Sequence, residues 1–97
     1  MSDPSANIVR AHVWVSGRVQ GVAYRAFARQ AASRWGLRGG VRNLDDGRVE
    51  IEVEGPRSDV DAFLDVLRKG PPLASVSDVR IQWESATGGD SGFVIWH

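Results

Sequence analysis

Residues 17–25, Gly17-Arg18-Val19-Gln20-Gly21-Val22-Ala23-Tyr24-Arg25, combine two features that suit an anion. The stretch follows a strand-like pattern and runs into a helical one, so it contains a helix N-terminus. The first N–H groups of a helix have no internal partners and carry the positive end of its dipole. Gly17 and Gly21 allow backbone turns that other residues avoid and let the chain approach a ligand closely. A run of inward N–H groups of this kind is an anion nest. Arg25 falls in the first helical turn, and its planar fork matches phosphate oxygens two at a time. The combination describes a site for a small phosphate group. On local spacing alone, a tight turn followed by a surface arginine is the commoner reading.

The elements that would position this loop follow from periodicity. Val9, Ala11, Val13 and Val15 alternate with Arg10, His12 and Trp14, a half-buried strand of period two. Tyr24, Phe27, Ala28, Ala31 and Trp35 recur at helical spacing, and Gly36 is a natural stop. Two further strand runs, 38–44 and 48–54, flank Asp45-Asp46-Gly47, and Asp-Gly between alternating runs marks a hairpin. In the second run Val49, Ile51 and Val53 face inward, and Glu50, Glu52 and Glu54 form a solvated outer face. A second helix carries the stripe Val60, Phe63, Leu64, Leu67, with Ser58 expected as its cap and Asp61 in the capping-box position. Gly70-Pro71-Pro72 ends it. Val79, Ile81 and Trp83 give a fourth strand, and Phe93 and Ile95 a short fifth.

The order is β-α-β-β-α-β with a short C-terminal strand. With one apolar face per strand, it predicts an α+β ferredoxin-like sandwich: an antiparallel sheet with two helices on one face and water on the other. Such a fold hosts many functions and does not choose among them.

Composition narrows the classes. The 97 residues make one domain, read as a polar tail over 1–7 and a folded unit over 8–97. Twelve basic and twelve acidic side chains cancel, so no global field draws the chain to nucleic acid or a membrane. There is no cysteine, which removes disulfides, thiolate catalysis and cysteine metal sites. The start has neither the basic nor the apolar region of a signal peptide, so the expected compartment is the cytoplasm and the expected state a monomer.

Other candidates read as structural. His12 alternates outward, and with His97 it shows no metal-ligand spacing, so no metal is expected. Asp45 and Asp46 belong to the turn rather than to a catalytic carboxylate pair. A ferredoxin-like sheet can bind single-stranded RNA through aromatics on its central strands. Here three glutamates stand on that face and would repel phosphates.

Three blocks taken together change the weighting of the loop. Gly17 to Arg25 (GRVQGVAYR), then GLRGGVRN at 36–43 and DGRVEIEVEG at 46–55, closely resemble the acylphosphatase family. GPPLASVSDVRIQWE at 70–84 fits as well, and the resemblance runs from about residue 9 to the C-terminus. It implies hydrolysis of acyl phosphates to a carboxylate and inorganic phosphate, with no metal and no cofactor. The partners it implies are a small acyl phosphate substrate and inorganic phosphate as product and inhibitor. By the same resemblance Arg25 is the arginine that binds the substrate phosphate, and Asn43 positions the attacking water. Arg18, Val19, Gln20, Gly21 and Val22 are the phosphate-cradling loop, acting chiefly through backbone amides.

Elementary chemistry agrees with this implication. An acyl phosphate is a mixed anhydride whose carboxylate leaves without a proton at neutral pH. Phosphoryl transfer then needs mainly positioning and charge stabilisation. Asn43 can hydrogen-bond a water but cannot act as a base; in the family mechanism the proton goes to the substrate's own phosphate. The sequence departs from the family pattern in three places. Tyr24 stands for the usual Phe, Gly40 for the usual Trp, and the ending Phe93-Val94-Ile95-Trp96-His97 lacks the usual basic-aromatic close. Parity puts Gly40 on the strand face opposite Asn43, which predicts an effect on packing. The alternative class is a non-catalytic ferredoxin-like binding or regulatory domain, which has no need of the Arg25 and Asn43 pair.

Overall fold

The computed structural model describes residues 7–96; the expected tail over 1–7 lies outside them except for Asn7. The chain folds as β1 (Ile8–Arg18), α1 (Tyr24–Arg34), β2 (Arg38–Asn43), β3 (Val49–Pro56), α2 (Arg57–Lys69), β4 (Ser75–Glu84) and β5 (Phe93–Ile95). The strands form one sheet in the order β4-β1-β3-β2-β5. Period-two alternation decides which residues meet the helices. Ala11, Val13 and Val15 of β1, Val41 of β2 and Val49, Ile51 and Val53 of β3 are all fully buried. Ala28, Ala31 and Ala32 of α1 and Val60, Phe63, Leu64 and Leu67 of α2 close over them in one core. The predicted α+β sandwich is the observed one. The β2–β3 hairpin also forms, with Asn43 opposite Val49 and the Gly47 N–H bonded to Leu44 O across the turn (3.1 Å).

Three expectations change. β5 runs parallel to β2, with Gly40 opposite Val94, so the sheet is mixed rather than antiparallel throughout. Helix α2 starts at Arg57 after Pro56, whose fixed φ suits the entry, so Ser58 lies inside the first turn and makes no cap hydrogen bond. The Asp61 carboxylate is taken by the Arg57 guanidinium at 3.2 Å instead.

The third change concerns the face away from the helices, which does not simply meet water. The Glu54 side chain is 1% exposed. Its carboxylate accepts from the backbone N–H groups of Thr87 (2.7 Å) and Gly88 (2.8 Å) and from Arg10 Nη1 (3.2 Å). Arg10, itself buried, also donates to Glu52 and to Asp90, both at 2.9 Å. The segment between β4 and β5 therefore doubles back across the far face. Buried Arg10 and Glu54 hold it there, opposite one another in the β1–β3 register.

Tyr24 and Trp96 show what the unusual residues do. The buried Tyr24 hydroxyl donates to Leu67 O at 2.7 Å, satisfying a carbonyl in the last turn of α2 that the helix itself leaves unpaired. Burial pushes the phenol well above its ordinary pKa, so it remains a donor. Tyr24→Phe should cost about 1–2 kcal/mol, the range for orphaning a buried acceptor, read as a lower denaturation midpoint at unchanged slope. The Trp96 backbone N–H donates to Val41 O at 2.8 Å, and the Trp96 indole lies over Gly40, where a Cβ would collide with the ring.

Candidate active site

The loop after β1 is anchored by its apolar residues. Val19 and Val22 sink into the core, while Gly21 stays exposed between them. Gly21 has φ 74 and Ala23 has φ 63, so two left-handed residues turn the chain sharply into α1. Ala23 is the N-cap, and no side chain caps the helix. The first helical bond runs from Phe27 N–H to Ala23 O (3.1 Å), so the N–H groups of residues 24–26 have no intrahelical acceptor. Gly17, with φ 120, works differently: it sits at a bulge in β1, pressed so close to the Ser75 carbonyl that no side chain fits.

Gln20 makes a connection that the sequence did not announce. Its side-chain amide donates to Leu44 O (2.8 Å) and Arg48 O (3.0 Å). This ties the loop to the turn that begins just after Asn43. Arg25 and Asn43, eighteen positions apart in sequence, thereby line one cleft of about 640 Å3 together with Val19, Gly21, Ala23, Tyr24, Ala26, Arg29 and β5. Asn43 lies on the helix side of β2 by parity with Val41. Among the described residues neither the Arg25 guanidinium nor the Asn43 amide has a hydrogen-bond partner, so both remain available to a ligand. Among the described residues the cleft lining offers no carboxylate and no imidazole.

The remaining expected loop residues are placed less directly. Arg18 ends β1 opposite Ser75 and does not line the cleft. Gln20 spends its side chain on the hairpin, and Val22 points into the core. Arg29 and β5 line the cleft without having been expected there. Arg29 stands four residues after Arg25, a spacing that marks one helix face. On the far side of the sheet His12, Glu52 and Glu84 bring candidate ligand atoms within 4.8 Å of one another. There His12 Nε2 lies 2.8 Å from Glu50 and Glu52 accepts from Arg10, so these groups already have hydrogen-bond partners within the sheet face.

A family model described as acylphosphatase matches residues 11–95. The chain belongs to the acylphosphatase family. It is similar to the acylphosphatase of Haloarcula marismortui, 52% identical over 87 residues, which span 90% of this chain and 96% of that one. Among solved structures, the acylphosphatase from Bacillus subtilis matches with a TM-score of 0.89 at 36% identity, covering 92% of this chain and 99% of the other. The acylphosphatase from Coxiella burnetii gives 0.89 at 35% identity, covering 99% and 100%. The acylphosphatase match includes the loop, β2 and the whole of the cleft-lining strand β5. No helix among the described residues is long and apolar enough to cross a membrane.

Proposed function

We propose that the chain hydrolyses the carboxyl–phosphate bond of acyl phosphates, with the phosphate held by the amides of the 18–22 loop and by Arg25, and the water by Asn43. The observation that carries this reading is the convergence of an uncapped helix N-terminus, an unpaired arginine and an unpaired amide on one cleft. Water oxygen attacks phosphorus, the bond to the acyl oxygen breaks, and the carboxylate departs with the electron pair. The water's proton passes to a phosphate oxygen. Negative charge on the equatorial oxygens is offset by Arg25 and by N–H dipoles already in place before reaction. In this reading the chain works as a monomer in the cytoplasm, on a small molecule rather than on nucleic acid or a membrane.

The test is turnover of benzoyl phosphate in the presence of a chelator, against a simple phosphate monoester. The first should be hydrolysed and the second barely touched, because its alkoxide leaving group needs a proton that the cleft cannot give. Equal turnover of both, or loss of activity with chelator, would overturn the mechanism. Phosphate binding with no turnover of either would favour the non-catalytic domain.

Asn43→Ala separates the two proposed roles. If the amide only holds water, turnover should fall at least tenfold while competitive inhibition by inorganic phosphate stays near its original strength. Circular dichroism must first show a folded sheet, because Asn43 also pairs with Val49. A folded variant with full turnover, or one whose main defect is lost phosphate binding, would refute the role.

A further inference from the structure

We infer that Arg29 reads a second negative charge on the acyl half of the substrate, so that the chain favours acyl phosphates whose acyl group itself carries an anion. The inference rests on the hydrolase reading above and concerns the part of the cleft that the reading leaves unused.

The cleft holds about 640 Å3, room for about twenty waters at ~30 Å3 each. A phosphate group and one attacking water fill only a fraction of it. In-line displacement puts the acyl oxygen across phosphorus from the water, so the acyl group extends away from Asn43. The lining that remains for it is Ala26 and Arg29 from α1 with Phe93, Val94 and Ile95 from β5. That is an apolar channel with one cation along it.

The charge balance points the same way. Arg10, Arg38, Arg42, Arg48, Arg57 and Arg68 each pair with a carboxylate. Among the described residues Arg18, Arg25, Arg29, Arg34 and Arg80 have no such partner; of these Arg25 and Arg29 line the cleft, where no described acidic side chain joins them. Two guanidinium groups one helical turn apart, with Cβ atoms roughly 5–6 Å from one another, thus face a shared space without a counterion. Arg25 and the loop amides answer the phosphate. Arg29 answers a carboxylate or second phosphate at the far end of the acyl group, across the apolar stretch between them. Arg29 is exposed, so its contribution is that of a solvated ion pair: modest, and weakened by salt.

The experiment compares 4-carboxybenzoyl phosphate with benzoyl phosphate, two rigid substrates that differ by one distal charge. The readout is the ratio of their kcat/KM values, measured in the wild-type chain, Arg29→Gln and Arg29→Lys. Arg29→Gln should lower the ratio about fivefold, through KM for the charged substrate rather than through kcat. Arg29→Lys should retain most of it, and added salt should erode the wild-type ratio but not that of Arg29→Gln. A ratio unchanged in Arg29→Gln would overturn the inference. So would equal slowing of both substrates, which would mean that Arg29 grips the reacting phosphate. A wild-type chain inert towards benzoyl phosphate would instead overturn the hydrolase reading, and this inference with it.

Discussion

Arg25→Ala should lose at least two orders of magnitude in turnover, about 3 kcal/mol of transition-state stabilisation, judged by the loss of one preorganised electrostatic donor. The side chain is half-buried at the mouth of the loop and has no carboxylate partner among the described residues. Its charge is therefore not spent within the fold, which suits the phosphate-binding role proposed for it. Two consequences distinguish it from a structural residue. Folding stability should shift by no more than about 0.5 kcal/mol, as for surface substitutions that break no internal pair. Inhibition by inorganic phosphate should weaken together with turnover, because in the proposed mechanism the guanidinium grips the phosphate both before and during reaction. Arg25→Lys should restore the charge but not the fork, and so recover only part of the activity. Near-normal catalysis in a folded Arg25→Ala chain would sink the assignment.

Glu54→Ala should cost about 3 kcal/mol or more of stability, the scale for removing one partner of a buried ion pair. Set against the roughly 5–15 kcal/mol that holds a domain of this kind together, that is a large share. The loss arises because Thr87 and Gly88 N–H groups are orphaned and Arg10 is left with Glu52 and Asp90 alone. The same residue shapes the acid limb of stability. Burial alone would raise the Glu54 pKa, but the Thr87 and Gly88 amides and Arg10 more than offset it and hold the carboxyl below its ordinary 4.5. A group whose pKa is lowered by folding stabilises above its unfolded value and loses that contribution as pH falls through the folded one. Glu50, held down in the same way against burial by His12 and Arg42, adds to the slope. Stability measured by urea titration should therefore decline below about pH 4.5, and Glu54→Gln should flatten that decline. A variant with the wild-type slope would show that the carboxylate is not the group responsible.

Much of this arrangement is legible in the sequence. Alternation in 9–15 and 49–53 and the 3.6-residue stripe in 60–67 named the core, because one buried face imposes its period on the sequence. The loop was legible because Gly21 and Arg25 sit at the junction of two periodicities. What stayed hidden was tertiary. Alternation states which side chains leave the core, but not what covers them afterwards, so Glu54 read as solvated until the 85–92 segment lay over it. Three residues, Phe93-Val94-Ile95, carry no mark of direction, and the parallel pairing with β2 is fixed by where that covering segment delivers the chain. Ala23 shows the limit for the site itself: an ordinary alanine adopts the left-handed turn because both flanks are pinned, by Val22 in the core and by α1. The Gln20 amide gives no local signal either, since its acceptors lie more than twenty positions away.

The indole of Trp96 lying over Gly40 makes these two positions a single volume, filled from whichever strand supplies the ring. Of the departures from the family pattern, Gly40 and the Trp96 ending are in this sense one departure, recorded twice. Recombination between this chain and relatives that carry a tryptophan at position 40 would preserve the volume only when both positions are inherited together. A crossover placed anywhere in the 55 residues between them would yield progeny with two rings competing for one space, or with none. The hybrid's β5 would then be displaced or loosened along the wall of the cleft, so a fault in inheritance on the far face would surface as a fault in substrate handling.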